Sequence, residues 1–450
     1  MTTIDFQWMT GFECSAFPQI GADELEETQH YRWWASDLAR VRDVGITMVR
    51  YGIPWHRVNA RPHEYDWKWT DQALDLMETL GITPIVDMFH YGTPLWLDQG
   101  IMNPIFAEAQ GWYARAFAQR YPHIAYYTPT NEPYIEATFG AEWAIWYPFL
   151  RGETNAARAI VNVAAGLSRA MLEVRKLRPD ALLMVPDTCE YYHSVDGAFK
   201  EEAEFRSIRR FLVHDMYQGL VNREHPMWDW LVRNGIDEWE LDWFLENPVR
   251  LDILGLDYYQ HSEHQLRRGP NGERIDETAQ DPFGWAEISR QYSSKYAGIP
   301  VILAETNVGG AEEDRVSWFE SLIEQTRTAR AKGVPIAGLT YYGAVDHVDW
   351  DSALRVRNLN INPCGMWGLS WQGDKLVRTP TALVDLYRRY ISMPTEESVG
   401  LLADREAAEK IRHVLNPALS AEQLARARQA APLPKHSALS TQHLPGRGDI

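Results

Sequence analysis

Cysteine, uninterrupted apolar segments and positive charge are all scarce in this sequence. Three cysteines among 450 residues, widely spaced and without a C-x-x-C pattern, favour neither a disulfide framework nor a zinc site. No run reaches the roughly eighteen apolar residues of a transmembrane helix, and the N-terminus lacks the basic and apolar regions of a signal peptide. We therefore expect a soluble, cytoplasmic protein.

The shortage of positive charge also narrows the choice of partners. Lysine and arginine total 44 against 62 acidic residues, which gives a formal net charge of −18. Such a charge repels nucleic-acid phosphates and anionic lipid surfaces. The sequence therefore predicts no nucleic-acid partner and no membrane partner, and it leaves open whether the chain forms a homo-oligomer.

Aromatic residues, in contrast, are plentiful, with 19 tryptophans and 21 tyrosines. Aromatic rings often stack on the apolar faces of sugars, but they also pack helices together in large proteins. Both interpretations stay open on composition alone.

Short apolar runs rich in β-forming residues alternate with longer amphipathic segments, a pattern typical of repeated β-α units around a parallel sheet. Eight runs are present, which favours a closed α/β barrel. A doubly wound open sheet is disfavoured because no G-x-G-x-x-G motif follows the first run. We predict a single (β/α)8 TIM barrel with long βα loops. The runs begin at Phe6, Ile46, Ile82, Ala125, Ala181, Leu251, Ile299 and Ile336.

The barrel is expected to span residues 1–395 and to close after a helix near Pro380 to Ile391. Residues 396–450 would form a C-terminal extension, partly helical in the segment SAEQLARARQA. Its last part, about fifteen residues rich in proline, histidine, serine and glycine, has too little apolar content to fold alone and is expected to be mobile. The alternative is an arm that packs on a neighbouring subunit.

Two glutamates, Glu132 and Glu305, end the fourth and seventh runs, and strand ends converge on one face of a barrel. Either could merely cap the following helix, but a glycosidic bond is cleaved by such a pair, one acidic and one ionised. Arg50, which ends the second run, would keep Glu305 ionised. Asn131 could donate a hydrogen bond to a sugar 2-hydroxyl. Other polar residues at run ends are Asp87, His90, Asp257, Tyr259, Tyr341, Tyr342 and Asp346.

Thr130–Pro133 (T-N-E-P) looks like the acid/base motif of the retaining (β/α)8 glycosidases. From about Phe6 to Ile391 the chain resembles glycoside hydrolase family 1, because six further motifs follow in the family's order. They are SAFPQI at 15–20, VRYGIPWHR at 49–57, FHYGTP at 89–94, GLDYY at 255–259, LAETN at 303–307 and DHVDW at 346–350.

The resemblance implies a retaining exo-β-glycosidase of the β-glucosidase type, which works by double displacement and needs no cofactor. Glu132 would be the acid/base and Glu305 the nucleophile, supported by Arg50, Tyr259 and Asn131. The implied sugar-binding residues are Gln19, His90, Asp257, Tyr342, Asp349 and Trp350.

Four departures from the family pattern fall beside the expected sugar pocket. Asp257 replaces the usual Asn, Tyr342 replaces Trp, Asp349 replaces Glu, and Thr306-Asn307 replaces Asn-Gly. Because Glu132, Glu305 and Arg50 are retained, the chemistry should survive, whereas the preferred sugar can differ from that of the family. Strand eight also lacks the Ser and Lys with which phospho-glycosidases of this family bind a 6-phosphate.

Several alternatives remain. The enzyme could be a transglycosylase or could act on a β-galactoside, β-fucoside or β-mannoside. The chain could instead be a non-catalytic sugar-binding barrel. A metal-dependent barrel hydrolase is disfavoured because the sequence has no H-x-H or H-E-x-x-H pattern. Candidate aromatic platforms for the leaving group are Trp143, Trp146, Trp285 and Trp371.

Overall fold

Eight parallel strands form a closed barrel in the computed structural model, which describes residues 6–416. Each strand pairs with its neighbours in sequence, and β8 pairs with β1 to close the ring. The predicted (β/α)8 barrel is therefore confirmed, and each of the eight apolar runs corresponds to one strand. The strands are β1 (Gln7–Gly11), β2 (Met48–Gly52), β3 (Thr83–Asp87), β4 (Tyr126–Thr128), β5 (Leu182–Thr188), β6 (Ile253–Asp257), β7 (Val301–Glu305) and β8 (Ile336–Tyr342).

Helices connect the strands. The α-helices are Glu24–Glu27, His30–Val44, Trp55–Val58, Lys68–Leu80, Phe106–Arg120, Pro133–Ala141, Glu153–Leu177, Lys200–Arg209, Leu212–Tyr217, Trp228–Arg233, Glu238–Glu246, Trp285–Lys295, Glu312–Ala331, Ala382–Ser392, Thr395–Ser398 and Arg405–Leu415. Short 3-10 helices are Gly100–Met102 and Trp350–Ser352. Strands outside the barrel are Ala16–Phe17, Ala22–Asp23, Tyr191–Ser194, Glu263–Arg268, Arg274–Thr278, His347–Val348, Ile361–Asn362, Trp367–Gln372 and Lys375–Pro380.

Two helices end at glycines. His30–Val44 is followed by Gly45 with φ of 104°, and Lys68–Leu80 is followed by Gly81 with φ of 67°. A left-handed backbone after the last helical turn is favourable for glycine because it has no Cβ. Each glycine therefore ends its helix and turns the chain into the next strand.

The inside of the barrel is filled by apolar side chains from the strands, and its floor is closed by the helix Arg405–Leu415. Ile411, Val414 and Leu415 of this helix belong to the same buried cluster as Met9 and Ile302 of the strands. The Tyr126 hydroxyl donates a hydrogen bond of 2.6 Å to the carbonyl oxygen of Val414. With the amino ends of the strands covered, the polar site lies at the carboxyl ends.

The predicted last helix of the barrel is present as Ala382–Ser392. The division at residue 395 stays a prediction, although the start of the extension packs under the barrel. The segment SAEQLARARQA and the terminal residues that follow it lie outside the described part of the chain. Between residues 6 and 416, no helix combines the length and apolar character needed to cross a membrane.

We expect Ile411→Ala to lower the free energy of unfolding by about 2–5 kcal/mol, because it leaves a cavity under the barrel. Urea denaturation followed by circular dichroism measures the change. Glu409→Ala, an exposed position on the same helix, is the matched control and should change stability by less than about 0.5 kcal/mol. Equal values for the two variants would contradict a structural role for this helix.

Candidate active site

The polar residues that end the apolar runs meet at the carboxyl end of the barrel. Arg50 lies in β2, and Asp87, Asp257 and Glu305 are the last residues of β3, β6 and β7. Glu132 occupies the N-cap position of the helix Pro133–Ala141 with a left-handed φ of 36°, and its side chain makes no capping hydrogen bond. Parallel strands all present the same end to this face, so residues far apart in sequence become neighbours.

Arg50 is the centre of a buried hydrogen-bond network. Its Nη1 donates to Glu305 Oε1 at 2.5 Å. Its Nη2 donates to Asp87 Oδ2 at 2.8 Å and to Asn131 Oδ1 at 2.6 Å. The Arg50 side chain is 1 % exposed, and Glu305 and Asp87 are buried as well. Opposite charges that are removed from water together compensate each other, so Arg50 is placed to balance the negative charge of Glu305.

Each of the two glutamates accepts a hydrogen bond from a tyrosine hydroxyl. Tyr259 donates to Glu305 Oε2 at 2.8 Å, so both oxygens of Glu305 are held. Tyr91 donates to Glu132 Oε2 in a short hydrogen bond. Each carboxyl group therefore has a fixed direction, as a nucleophile and an acid both require.

Glu132 and Glu305 lie close enough to act on one bond. One oxygen of each lies within 4.8 Å of the other and of an oxygen of Asp257. Burial, followed by the negative charge of Glu305, raises the pKa of Glu132 to about 8, although Tyr91 and His90 oppose the shift. Glu132 is therefore protonated at neutral pH and can donate a proton.

One wall of the site is formed around His90. Its Nδ1 lies 3.0 Å from Asp87 Oδ2, and its Nε2 lies 3.1 Å from the side-chain nitrogen of Asn131 and 3.5 Å from Glu13 Oε1. Burial tends to raise the pKa of Glu13, but His90, His347 and hydrogen bonds from its own turn lower it overall. A carboxylate thus faces two histidines across this wall.

Tyr342 forms a second wall. The guanidinium carbon of Arg50 lies 5.1 Å from the centre of its ring, and its hydroxyl donates to the carbonyl oxygen of Phe12 at 3.1 Å. A Cβ on Gly11 would lie 2.5 Å from the ring, which is closer than van der Waals contact allows. Glycine at position 11 is therefore needed for Tyr342 to reach this place.

Three predicted sugar-binding residues contact other parts of the protein. The Gln19 amide donates to Thr93 Oγ1 at 3.3 Å and is half-buried. The Asp349 carboxylate accepts three backbone N–H bonds of 2.8 Å from residues 358–360. Trp350 lies with its ring 6.1 Å from His347. Their roles in binding stay predictions, and Asp349 first serves to hold its own loop.

The four tryptophans proposed as platforms differ in exposure. Trp285 and Trp146 are buried, so they pack within the protein. Trp143 is half-buried and Trp371 is 43 % exposed. A ring must have at least one accessible face to stack on a sugar or another leaving group, so Trp143 and Trp371 are the remaining candidates of this set.

Four residues of the site are absent from the sequence-based assignment of site residues, namely Glu13, Asp87, Tyr91 and His347. Asp87 carries the signal of a strand end, and Tyr91 stands beside His90 where the family has Trp. Glu13 follows the first strand by two residues, so the same rule could have found it. His347 follows the last strand inside the DHVDW motif, where the family has Asn.

Comparison with known proteins places this site in a family. The model of "Glycosyl hydrolase family 1" matches residues 20–359. Beta-glucosidase A of Thermotoga maritima is 23% identical over 360 residues, which cover 71% of this chain and 78% of that protein. The bifunctional beta-D-glucosidase/beta-D-fucosidase of Bifidobacterium breve is 20% identical over 423 residues, which cover 80% and 87%.

A solved structure has the same fold. The beta-glucosidase from Thermotoga maritima in complex with castanospermine superposes with a TM-score of 0.72 at 19% identity, covering 88% of this chain and 98% of that one. The family match extends over most of the chain and includes both glutamates, Arg50 and the residues around them. The chain therefore belongs to glycosyl hydrolase family 1 and is a glycoside hydrolase.

Proposed function

We propose that this protein is a retaining exo-β-glycosidase of the β-glucosidase type, which forms a covalent glycosyl-enzyme at Glu305. The observation that carries the proposal is the 4.8 Å limit on the distance between oxygens of Glu132 and Glu305. This close approach of single oxygens favours the shorter carboxyl separation of retaining glycosidases, about 5–5.5 Å, over the about 6.5–9.5 Å with which inverting enzymes admit a water molecule.

In the first step, Glu305 attacks the anomeric carbon and the bond from that carbon to the leaving oxygen breaks. Glu132 gives its proton to that oxygen. Arg50 and Tyr259 fix the attacking carboxylate in place, and Arg50 also holds Asn131, which would donate a hydrogen bond to a sugar hydroxyl. In the second step, Glu132 takes a proton from water as the water oxygen attacks the same carbon and frees Glu305.

The charge of Glu305 switches Glu132 between these two roles. While Glu305 is ionised, its charge contributes to the raised pKa of Glu132. Once Glu305 becomes an ester, that charge is gone and the pKa of Glu132 falls, so Glu132 becomes a base. Loss of the Glu132 proton in the free enzyme removes the acid, and activity should therefore fall as pH rises through about 8.

A glucoside is the preferred substrate in this proposal, because both relatives are named as beta-glucosidases, one of them together with beta-D-fucosidase. Asp257 and Tyr342 alter the sugar pocket, so a galactoside, fucoside or mannoside and transglycosylation remain outcomes of a substrate panel. The two glutamates, close together and each fixed by hydrogen bonds, argue against a non-catalytic sugar-binding barrel.

Three buried free cysteines support the inferred cytoplasmic location.

Incubation with a 2-deoxy-2-fluoro-β-glucoside that carries a good leaving group should trap the glycosyl-enzyme. We expect peptide mapping by mass spectrometry to find the sugar on Glu305 and Glu305→Gln to take up no label. Glu313→Gln, an exposed glutamate in the first turn of the helix Glu312–Ala331 that follows the same strand, is the matched control and should label normally. A label on another residue, or full hydrolytic activity of Glu305→Gln, would refute the assignment.

The pKa of Glu132 should respond in opposite directions to two substitutions. Glu305→Gln removes the nearby charge and should lower it below about 8, whereas Tyr91→Phe removes a stabilising hydrogen bond and should raise it. Carboxyl-carbon NMR of protein with 13C-labelled glutamate measures both changes. If the titration of Glu132 were the same in both variants and the wild type, the proposed switch would be wrong.

A further inference from the structure

Asp257 is a third carboxyl group inside the site, and it stands where the family usually has Asn. It is the last residue of β6, and its Cα pairs with Thr188 in β5 and with Glu305 in β7. Its side chain is completely buried. One of its oxygens lies within 4.8 Å of an oxygen of Glu305 and an oxygen of Glu132.

Neither side-chain oxygen of Asp257 has a hydrogen-bond partner among residues 6–416. Arg50 is the neighbouring cation, but its Nη1 serves Glu305 and the Ala304 carbonyl. Its Nη2 donates hydrogen bonds to Asp87 and to the side-chain oxygen of Asn131. A buried carboxylate without a cation or hydrogen-bond donor is unfavourable, and such a group usually takes up a proton instead.

The charges that face Asp257 have the same effect. Glu305 comes from β7, Glu132 from the loop after β4, and Asp187 from β5, against the single cation Arg50 in β2. Burial contributes most, followed by Glu305 and Glu132, and together they raise the pKa of Asp257 well above its ordinary value.

We propose that Asp257 is held as a neutral carboxylic acid whose O–H donates a hydrogen bond to an oxygen of the sugar beside Glu305. The spacing supports this role: no hydrogen bond joins Asp257 to either glutamate, so its proton is free for a substrate oxygen that enters between them. The donor role rests on the proposed glycosidase function. The protonated state rests on the protein alone.

Infrared spectroscopy tests the protonated state without substrate. The Glu132→Gln variant at pH 7 should show the carbonyl stretch of protonated carboxylic acids, and part of that band should disappear in Glu132→Gln/Asp257→Asn. Asp187, a buried acid whose pKa is also raised, contributes equally to both spectra and serves as an internal reference. Identical spectra would overturn the proposal, as would a band that appears only after EDTA treatment, because a divalent cation would then neutralise the cluster.

If the double variant fails to fold, Glu132→Gln/Asp187→Asn labelled with 13C-aspartate provides the same information. One aspartate carboxyl should then remain protonated at pH 7, since Asp187 and Asp257 are the aspartates in the described chain whose pKa is raised. Finding none would overturn the proposal.

Kinetics with an aryl β-glucoside test the donor role. Asp257→Leu, of similar size but without a donor, should lower kcat by about 100-fold to 1000-fold, whereas Asp257→Asn, which keeps a neutral donor, should lose less than about tenfold. As the pH rises, the fall in kcat should follow the loss of two protons in the wild type, from Glu132 and Asp257, and of one proton in Asp257→Asn. Equal losses in the two variants would overturn the donor role. A wild type without glycosidase activity would refute the proposed function and leave the infrared result unaffected.

Discussion

The buried guanidinium of Arg50 connects four parts of the barrel at the face where its strands end. From β2 it reaches Asp87 at the end of β3, Asn131 after β4 and Glu305 at the end of β7. Each bond is charge-assisted or lies in a medium that screens charge poorly, so loss of one partner would leave a buried charge uncompensated. Because Asn131 precedes Glu132 in the chain, the same network also positions Glu132, the proposed acid.

Arg50 compensates some of the nearby acids and leaves others without a cation. Glu305 and Asp87 receive direct hydrogen bonds from it, whereas Glu132 and Asp257 do not. The uncompensated groups are the ones whose pKa is raised. The position of Arg50 therefore sets Glu132 and Asp257 apart from Glu305 and Asp87, and such a division is what general acid catalysis beside a nucleophile requires.

Much of the fold and part of the site followed from the sequence, because the signals were local. Apolar runs predicted all eight strands, and the rule that polar residues at strand ends converge brought Arg50 and Glu305 together. Contacts between side chains on different strands and loops could not be predicted from local patterns, because they depend on how the strands are aligned in the barrel. The bond from Tyr91 to Glu132 joins residues 41 apart in the chain.

Other features that the sequence did not predict have a similar cause. The hydrogen bonds from the backbone N–H groups of residues 358–360 to the Asp349 carboxylate depend on how that loop folds. The helix Arg405–Leu415 was not predicted as the floor of the barrel, since its partners come from strands spread over the whole chain. Its apolar face has meaning only once the barrel exists.

The configuration of the first sugar released tests the central claim most directly. Proton NMR of an aryl β-glucoside during the first minutes of hydrolysis distinguishes the two anomers before they interconvert. Two displacements at one carbon through Glu305 require the β-anomer to appear first. Initial release of the α-anomer would contradict the covalent mechanism and the roles assigned to both glutamates.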